Sequence, residues 1–175
     1  MTIRTIFIDN LAFAKKNERL AGELLLVDCP RLNDLLLHAA QISQSNSIPS
    51  GTISYELLGK TDAADQSLLS LSLKANLITT CQRCLNDMPL ALILNFNYLI
   101  GAASDFAVTA HEDDDNDDFD IQPLSPNMDI IALIEDEMLM AMPIAATHDQ
   151  HCTDVLSESG DKPNPFAVLK GLIKP

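Results

Sequence analysis

Apolar and polar residues alternate through the middle of the chain. The alternation is clearest in the segment 69–77, where leucine and alanine occupy every second position between serine, lysine and asparagine, and it recurs in 53–57 and 92–98. A period of two with one polar side is typical of strands whose sheet is covered on one face only. The pattern therefore predicts an antiparallel sheet with a buried face and a solvent face.

Two other segments repeat apolar residues with the period of a helix. The segment 30–40 has Pro30 in its first turn, and the segment 129–142 begins at Asp129, a good N-cap, and stops before Pro143. In the second helix we place Glu135 and Asp136 on the solvent side and Glu137 beside the apolar stripe. A basic residue such as Arg83 is a candidate partner for Glu137, and an exposed position without a partner is the alternative. Weaker patterns predict a strand in 3–8, a helical turn in 11–16 and a strand in 20–27.

These elements predict an α+β fold in which helices pack on one face of an antiparallel sheet. The length of 175 residues suits a single domain, 1–175. Within it, seven acids between Glu112 and Asp120 predict a mobile acidic loop over 104–127. The end of the chain, 160–175, predicts a tail with a short helix that begins at Asn164 and Pro165.

Charge restricts the choice of partner. The chain has 25 acidic residues against 11 lysines and arginines, a formal net charge of −14. Nucleic-acid binding draws much of its affinity from basic side chains that neutralise phosphates, so a basic protein is a better direct partner than naked RNA. We also expect a soluble cytoplasmic protein without a membrane segment, because the sequence shows neither the pattern of a secretory leader nor an apolar run that approaches 18 residues.

The motif with the clearest chemistry is the pair Cys81 and Cys84, separated by two residues. His148, His151 and Cys152 form a second group of soft ligands further along the chain. Zinc is typically held by four Cys or His ligands, so the two groups together predict one structural zinc ion. A vacant site and redox use of the cysteine pair are the alternatives, although a redox pair usually opens a helix of a βαβ unit.

The order of these motifs resembles the YceD family, the large ribosomal RNA subunit accumulation proteins. The resemblance rests on Cys81–Cys84, the acidic helix that ends at Pro143, the cluster of His148, His151 and Cys152, and the terminal segment 162–169. It implies a ribosome biogenesis factor needed for the synthesis, processing or accumulation of large-subunit (23S) rRNA, together with metal binding.

The resemblance also implies a ribosomal or ribosome assembly protein as partner, with pre-rRNA reached indirectly. Besides Glu137, the candidate partner-binding residues belong to the terminal segment, which serves either to bind the partner or to complete the core. They are Pro163, Asn164, Pro165, Phe166 and Leu169.

Catalysis is not expected. His148 and Asp149 could pair as a base and its orienting acid, but neither a nucleophile nor a glycine-rich phosphate loop accompanies them. We therefore expect a non-enzymatic protein without a small-molecule substrate. A Cys-x-x-Cys redox enzyme or an RNA-processing enzyme is the alternative.

Overall fold

A computed structural model of the protein describes residues 5–42, 49–101 and 119–148. Its elements begin with a short strand and helix, continue as long strands, and close with the second long helix. In chain order they are β1 (Phe7–Ile8), α1 (Asn10–Lys15), β2 (Arg19–Leu25), a 3-10 turn (Leu26–Asp28), α2 (Pro30–Ile42), β3 (Gly51–Thr61), β4 (Ser67–Thr80), β5 (Asp87–Ile100), β6 (Asp120–Gln122), β7 (Met128–Asp129) and α3 (Ile130–Ala141).

The main sheet has the strand order β2-β3-β4-β5-β6. The first four strands are antiparallel neighbours, which confirms the predicted α+β fold. One edge differs from the antiparallel pattern predicted for the sheet, since β6 runs parallel to β5. A parallel neighbour needs a long connection, and the chain between residues 100 and 120 is long enough to supply it.

Burial follows the predicted alternation. On β3 and β4 every second side chain enters the core, and Leu57, Leu71 and Leu73 are almost completely buried. The helix α1 lies against β3 and β4, and α2 lies against β4. A Cβ atom at Gly59 would come within 2.5 Å of the Phe13 carbonyl oxygen, so only glycine lets α1 approach β3 this closely.

The helix α3 begins as predicted. The Asp129 carboxylate accepts hydrogen bonds from the backbone N–H groups of Ile131 and Ala132, which satisfies two of the free donors at a helix N-terminus. The helix ends at Ala141, two residues before Pro143. The two-stranded pairing of β1 with β7 leads directly into it.

Glu135 does not lie on the solvent side of α3, where the sequence placed it. The residue is only 5% exposed, and its carboxylate accepts hydrogen bonds from the backbone N–H and from Nε of Arg31, at 2.9 and 3.1 Å. Arg31 also binds Asp136. The prediction was wrong because Arg31 stands in the first turn of α2, whose free N–H groups attract a carboxylate from the neighbouring helix.

Other predicted boundaries shift slightly. The strand expected in 20–27 stops at Leu25, because the Asp28 carboxylate accepts a hydrogen bond from the Leu25 N–H and closes a 3-10 turn. The strand expected in 3–8 is described only at Phe7–Ile8. The predicted acidic loop contains β6, while its residues 104–118 and the predicted tail, 160–175, lie outside the described residues.

Candidate metal centre

The Cys81–Cys84 motif forms a tight turn between β4 and β5. Cys81 directly follows β4 and is completely buried. Its carbonyl oxygen accepts a hydrogen bond from the Leu85 N–H at 2.9 Å, and its sulfur accepts one from the Arg83 N–H at 3.4 Å. Leu85 takes a positive φ of 60° to close the turn. The backbone thus brings both cysteine side chains to one side of the hairpin end.

The chain that follows α3 returns to this turn. The Ala146 carbonyl oxygen accepts a hydrogen bond from the Gln82 N–H at 2.8 Å, and this contact places His148 beside the cysteines. The His148 Nδ1 atom lies 3.5 Å from Cys84 Sγ, while its Nε2 atom lies 3.3 Å from the backbone oxygen of Asp87. Two segments far apart in sequence therefore meet at one cluster of ligand atoms.

The three side chains fit the requirements of a metal ion. The ligand atoms of Cys81, Cys84 and His148 all lie within 4.8 Å of one another. Zinc bonds of about 2.3 Å to sulfur and about 2.0 Å to nitrogen would separate the two ligand atoms by roughly 3.5 Å in a tetrahedron. The observed 3.5 Å between Cys84 Sγ and His148 Nδ1 matches that spacing.

The contact of His148 with Asp87 strengthens this fit. Metal-binding histidines commonly donate the second ring N–H to a carbonyl or carboxylate oxygen, which fixes the tautomer and orients the ring. Here Nε2 faces the Asp87 carbonyl oxygen, so Nδ1 is left with its lone pair towards the cysteines. No sequence pattern reveals this contact, because it uses a backbone oxygen that every residue carries.

Of the five predicted metal ligands, the structure brings together three. His151 and Cys152 lie outside the described residues. Cys29 belongs elsewhere, since it is buried in the main core at the start of α2. Burial, followed by the nearby negative charges of Glu135 and Asp28, raises the pKa of the Cys29 thiol to about 12, so this cysteine stays neutral and packs as an apolar side chain.

Glu137, a predicted partner-binding residue, has an internal contact. Its carboxylate accepts a hydrogen bond from the hydroxyl group of Tyr98 on β5 at 2.8 Å. Burial and this carboxylate together raise the pKa of the Tyr98 hydroxyl well above its usual range. Across the described ranges no ion pair joins Glu137 to Arg83, the residue suggested by the sequence. Pro163, Asn164, Pro165, Phe166 and Leu169 lie beyond the last described residue.

Two comparisons with known proteins and one property of the helices complete the description. A search of solved structures gave no significant match. In the part of the chain that the structure describes, no helix has both the length and the apolar character needed to cross a membrane. A family model described as "Large ribosomal RNA subunit accumulation protein YceD" matches residues 69–173, a range that contains most of β4, the cysteine turn, β5, α3 and His148. This match covers more than half of the sequence, so the chain belongs to the YceD family of large ribosomal RNA subunit accumulation proteins.

Proposed function

We propose that this protein is a non-enzymatic, cytoplasmic factor of ribosome biogenesis that is needed for the synthesis, processing or accumulation of large-subunit (23S) rRNA. The observation that carries the proposal is membership of the YceD family, whose description implies a role in ribosome biogenesis. The match contains both halves of the ligand cluster and the helix α3. The region that supports the proposed role is therefore the same region that contains the candidate metal site.

The distribution of charge supports action through a basic protein. Residues 1–83 contain eight acids and eight lysines or arginines, whereas the remainder contains 17 acids and only three lysines. Such a field repels the phosphates of RNA and attracts a basic protein, and complementary fields speed encounter. A ribosomal or ribosome assembly protein, which must itself bind rRNA, has the required charge. Pre-rRNA would then be reached indirectly.

A single structural zinc ion is the second part of the proposal. Cys81, Cys84 and His148 would hold it, with His151 or Cys152 as the fourth ligand. When bound, zinc would cross-link the β4–β5 turn to the segment after α3. This role suits the position of the turn between two antiparallel strands, which differs from the helix N-terminus that activates a redox cysteine pair.

The role in rRNA accumulation is tested by deletion of the gene. We expect mature 23S rRNA to fall relative to 16S rRNA, and the wild-type gene to restore the ratio. An unchanged ratio at all growth temperatures would remove the basis of the assignment.

One variant separates structural zinc from redox chemistry. Cys84→His keeps a zinc ligand but cannot form a disulfide with Cys81, whereas Cys84→Ser loses both properties. We expect Cys84→His to restore the rRNA ratio better than Cys84→Ser. If both variants fold and only Cys84→His retains zinc, but neither restores the rRNA ratio, the result would favour the redox alternative.

A further inference from the structure

The strand β5 is paired along its whole length on one side only. Its inner neighbour β4 pairs with residues 87–99, whereas β6 pairs only with residues 98–100. Among residues 5–42, 49–101 and 119–148, no strand adjoins the outer side of the segment 89–97. We call this segment the β5 edge. An unprotected edge of this length is a ready template for another strand.

The backbone of the β5 edge has a defined orientation. The Ile78 N–H on β4 donates to the Ser50 carbonyl oxygen, so the peptide groups of Ile78 point towards β3. Ile78 pairs with Pro89, which therefore directs its own peptide groups away from β4. The same must hold for every second residue, so Ala91, Ile93 and Asn95 present N–H and C=O groups outward.

Contacts at the two ends of β5 agree with this orientation. The Asp87 carbonyl oxygen meets His148, and the Gly101 N–H donates to the Gln122 carbonyl oxygen on the outer side. Both residues have odd numbers, like the three central residues of the edge. The outward donors and acceptors of Ala91, Ile93 and Asn95 thus lie between two stretches where the same side of the strand already has partners.

The side chains of the β5 edge also suit an added strand. Leu90, Leu92, Leu94 and Phe96 point towards the core but are only partly buried, whereas the β4 residues opposite them are at most 1% exposed. A neighbouring strand would cover this incomplete row. Natural sheet edges are commonly protected from added strands by charged residues or proline. From Met88 to Ile100 this strand has no charged residue, and Pro89 is its only proline.

We propose that the β5 edge binds an extended segment of a basic protein, which adds to the sheet as a further antiparallel or parallel strand. The basic character of this partner rests on the proposed function. It is supported by charge: no lysine or arginine occurs between Leu85 and Asp161, and Asp87 and Asp120 flank the two ends of the edge. Backbone hydrogen bonds would provide affinity, and alternating apolar side chains would cover Leu92 and Leu94.

Hydrogen exchange on the full-length protein tests the state of the free edge. We expect the amides of Ala91, Ile93 and Asn95 to exchange at least about tenfold faster than those of Leu90, Leu92 and Leu94, which bond to β4. Equal protection of both sets in the free monomer would show that the edge is covered by the protein's own chain. Equal protection that disappears on dilution would show that a second copy covers it. Either result overturns the proposal.

Binding is then measured with a synthetic octapeptide of alternating lysine and valine. We expect the peptide to protect the amides of Ala91, Ile93 and Asn95 selectively. A version N-methylated at alternate residues keeps the charge and side chains but loses one row of backbone donors, and it should bind at least about tenfold more weakly. Equal affinity for both versions would indicate simple charge attraction and overturn the strand-addition proposal.

Substitution at Ile93 provides the matched comparison. Ile93→Pro removes an outward N–H and obstructs the edge without removing a bond to β4, so it should weaken peptide binding at least about tenfold. Ile93→Thr keeps the backbone intact and should bind nearly as well as the wild type. If Ile93→Pro fails to fold, Asn95→Pro tests the same surface. These measurements do not depend on rRNA levels, so failure here leaves the proposed role in ribosome biogenesis intact.

Discussion

The main core and the cysteine turn are built on different principles, although β4 runs through both. In the main core, rows of apolar side chains from β3 and β4 are covered by α1 and α2, and Leu57 and Leu71 have no exposed surface. At the turn, the buried apolar cluster consists of Cys81, Met88 and Ala146, with Cys84 at its margin. The contrast teaches that one end of the sheet is held by the burial of apolar side chains, whereas the other end brings together three side chains that could hold a metal ion.

The largest effect should come from the main core. Leu71→Ala removes a fully buried side chain from the centre of β4 and leaves a cavity, which should lower the free energy of unfolding by about 2–5 kcal/mol. Chemical denaturation measures the change, and zinc content should be unaffected. Ile93→Ala, at a position 73% exposed on the neighbouring strand, is the control and should change stability by less than about 0.5 kcal/mol. Comparable losses in the two variants would contradict the assigned core.

A smaller and more local effect should come from the turn. We expect about one zinc ion per purified chain, and Cys84→Ser should reduce this content and lower the melting temperature less than Leu71→Ala does. Hydrogen exchange should accelerate at Cys81 and Leu85 while Leu73 stays protected, because the turn can open without the main core.

Cys29→Ala is the matched control for the metal measurement. Cys29 is buried in the main core and does not belong to the group of ligand atoms formed by Cys81, Cys84 and His148, so its replacement should leave zinc content unchanged. Metal-free wild-type protein that is folded and reduced would rule out the zinc centre. Loss of zinc from the Cys29 variant would contradict the assignment of the ligands.

The last effect concerns Cys29 and is confined to alkaline pH, so it is absent under ordinary conditions. The pKa of its thiol is raised from 9.0 to about 12 in the folded protein, so the folded state retains a proton that the unfolded state releases. The associated stability is complete below pH 9 and is lost as the pH rises towards about 12. In denaturation measured over this window, the wild type should lose stability more steeply than Cys29→Ala. Parallel curves would contradict neutral burial of the thiol.

Sequence predicted most reliably those features that repeat. Alternation identified β3, β4 and β5, and the cap at Asp129 identified the start of α3. Three features carried no local signal: the parallel pairing of β6, the burial of Glu135 and the carbonyl contact of His148. Each depends on which distant segment arrives nearby. Glu135 is the clearest example. From the helical pattern alone it cannot be distinguished from an exposed glutamate, and only the position of Arg31 beside it in the fold explains its burial.

The ligand cluster was predictable in part for a related reason. The spacing of Cys81 and Cys84 is itself a local pattern, so it could be interpreted without the fold. The choice of His148 as their companion required the path of the chain after α3, where Gln82 binds the Ala146 carbonyl oxygen. That path is a tertiary property, and a list of candidate ligands is as far as sequence could go.

The pairing of β1 with β7 has a consequence for how the protein emerges during translation. Phe7 pairs with Asp129, and the Ile130 N–H that opens α3 donates to the Ile6 carbonyl oxygen, while Asn10 bonds the backbone of Pro123 and Ser125. At about 5–20 residues per second, the N-terminal segment waits on the order of ten seconds for these partners to be synthesised. The segment 6–10 is therefore synthesised long before β7 and α3, and its contacts with them are among the last to form.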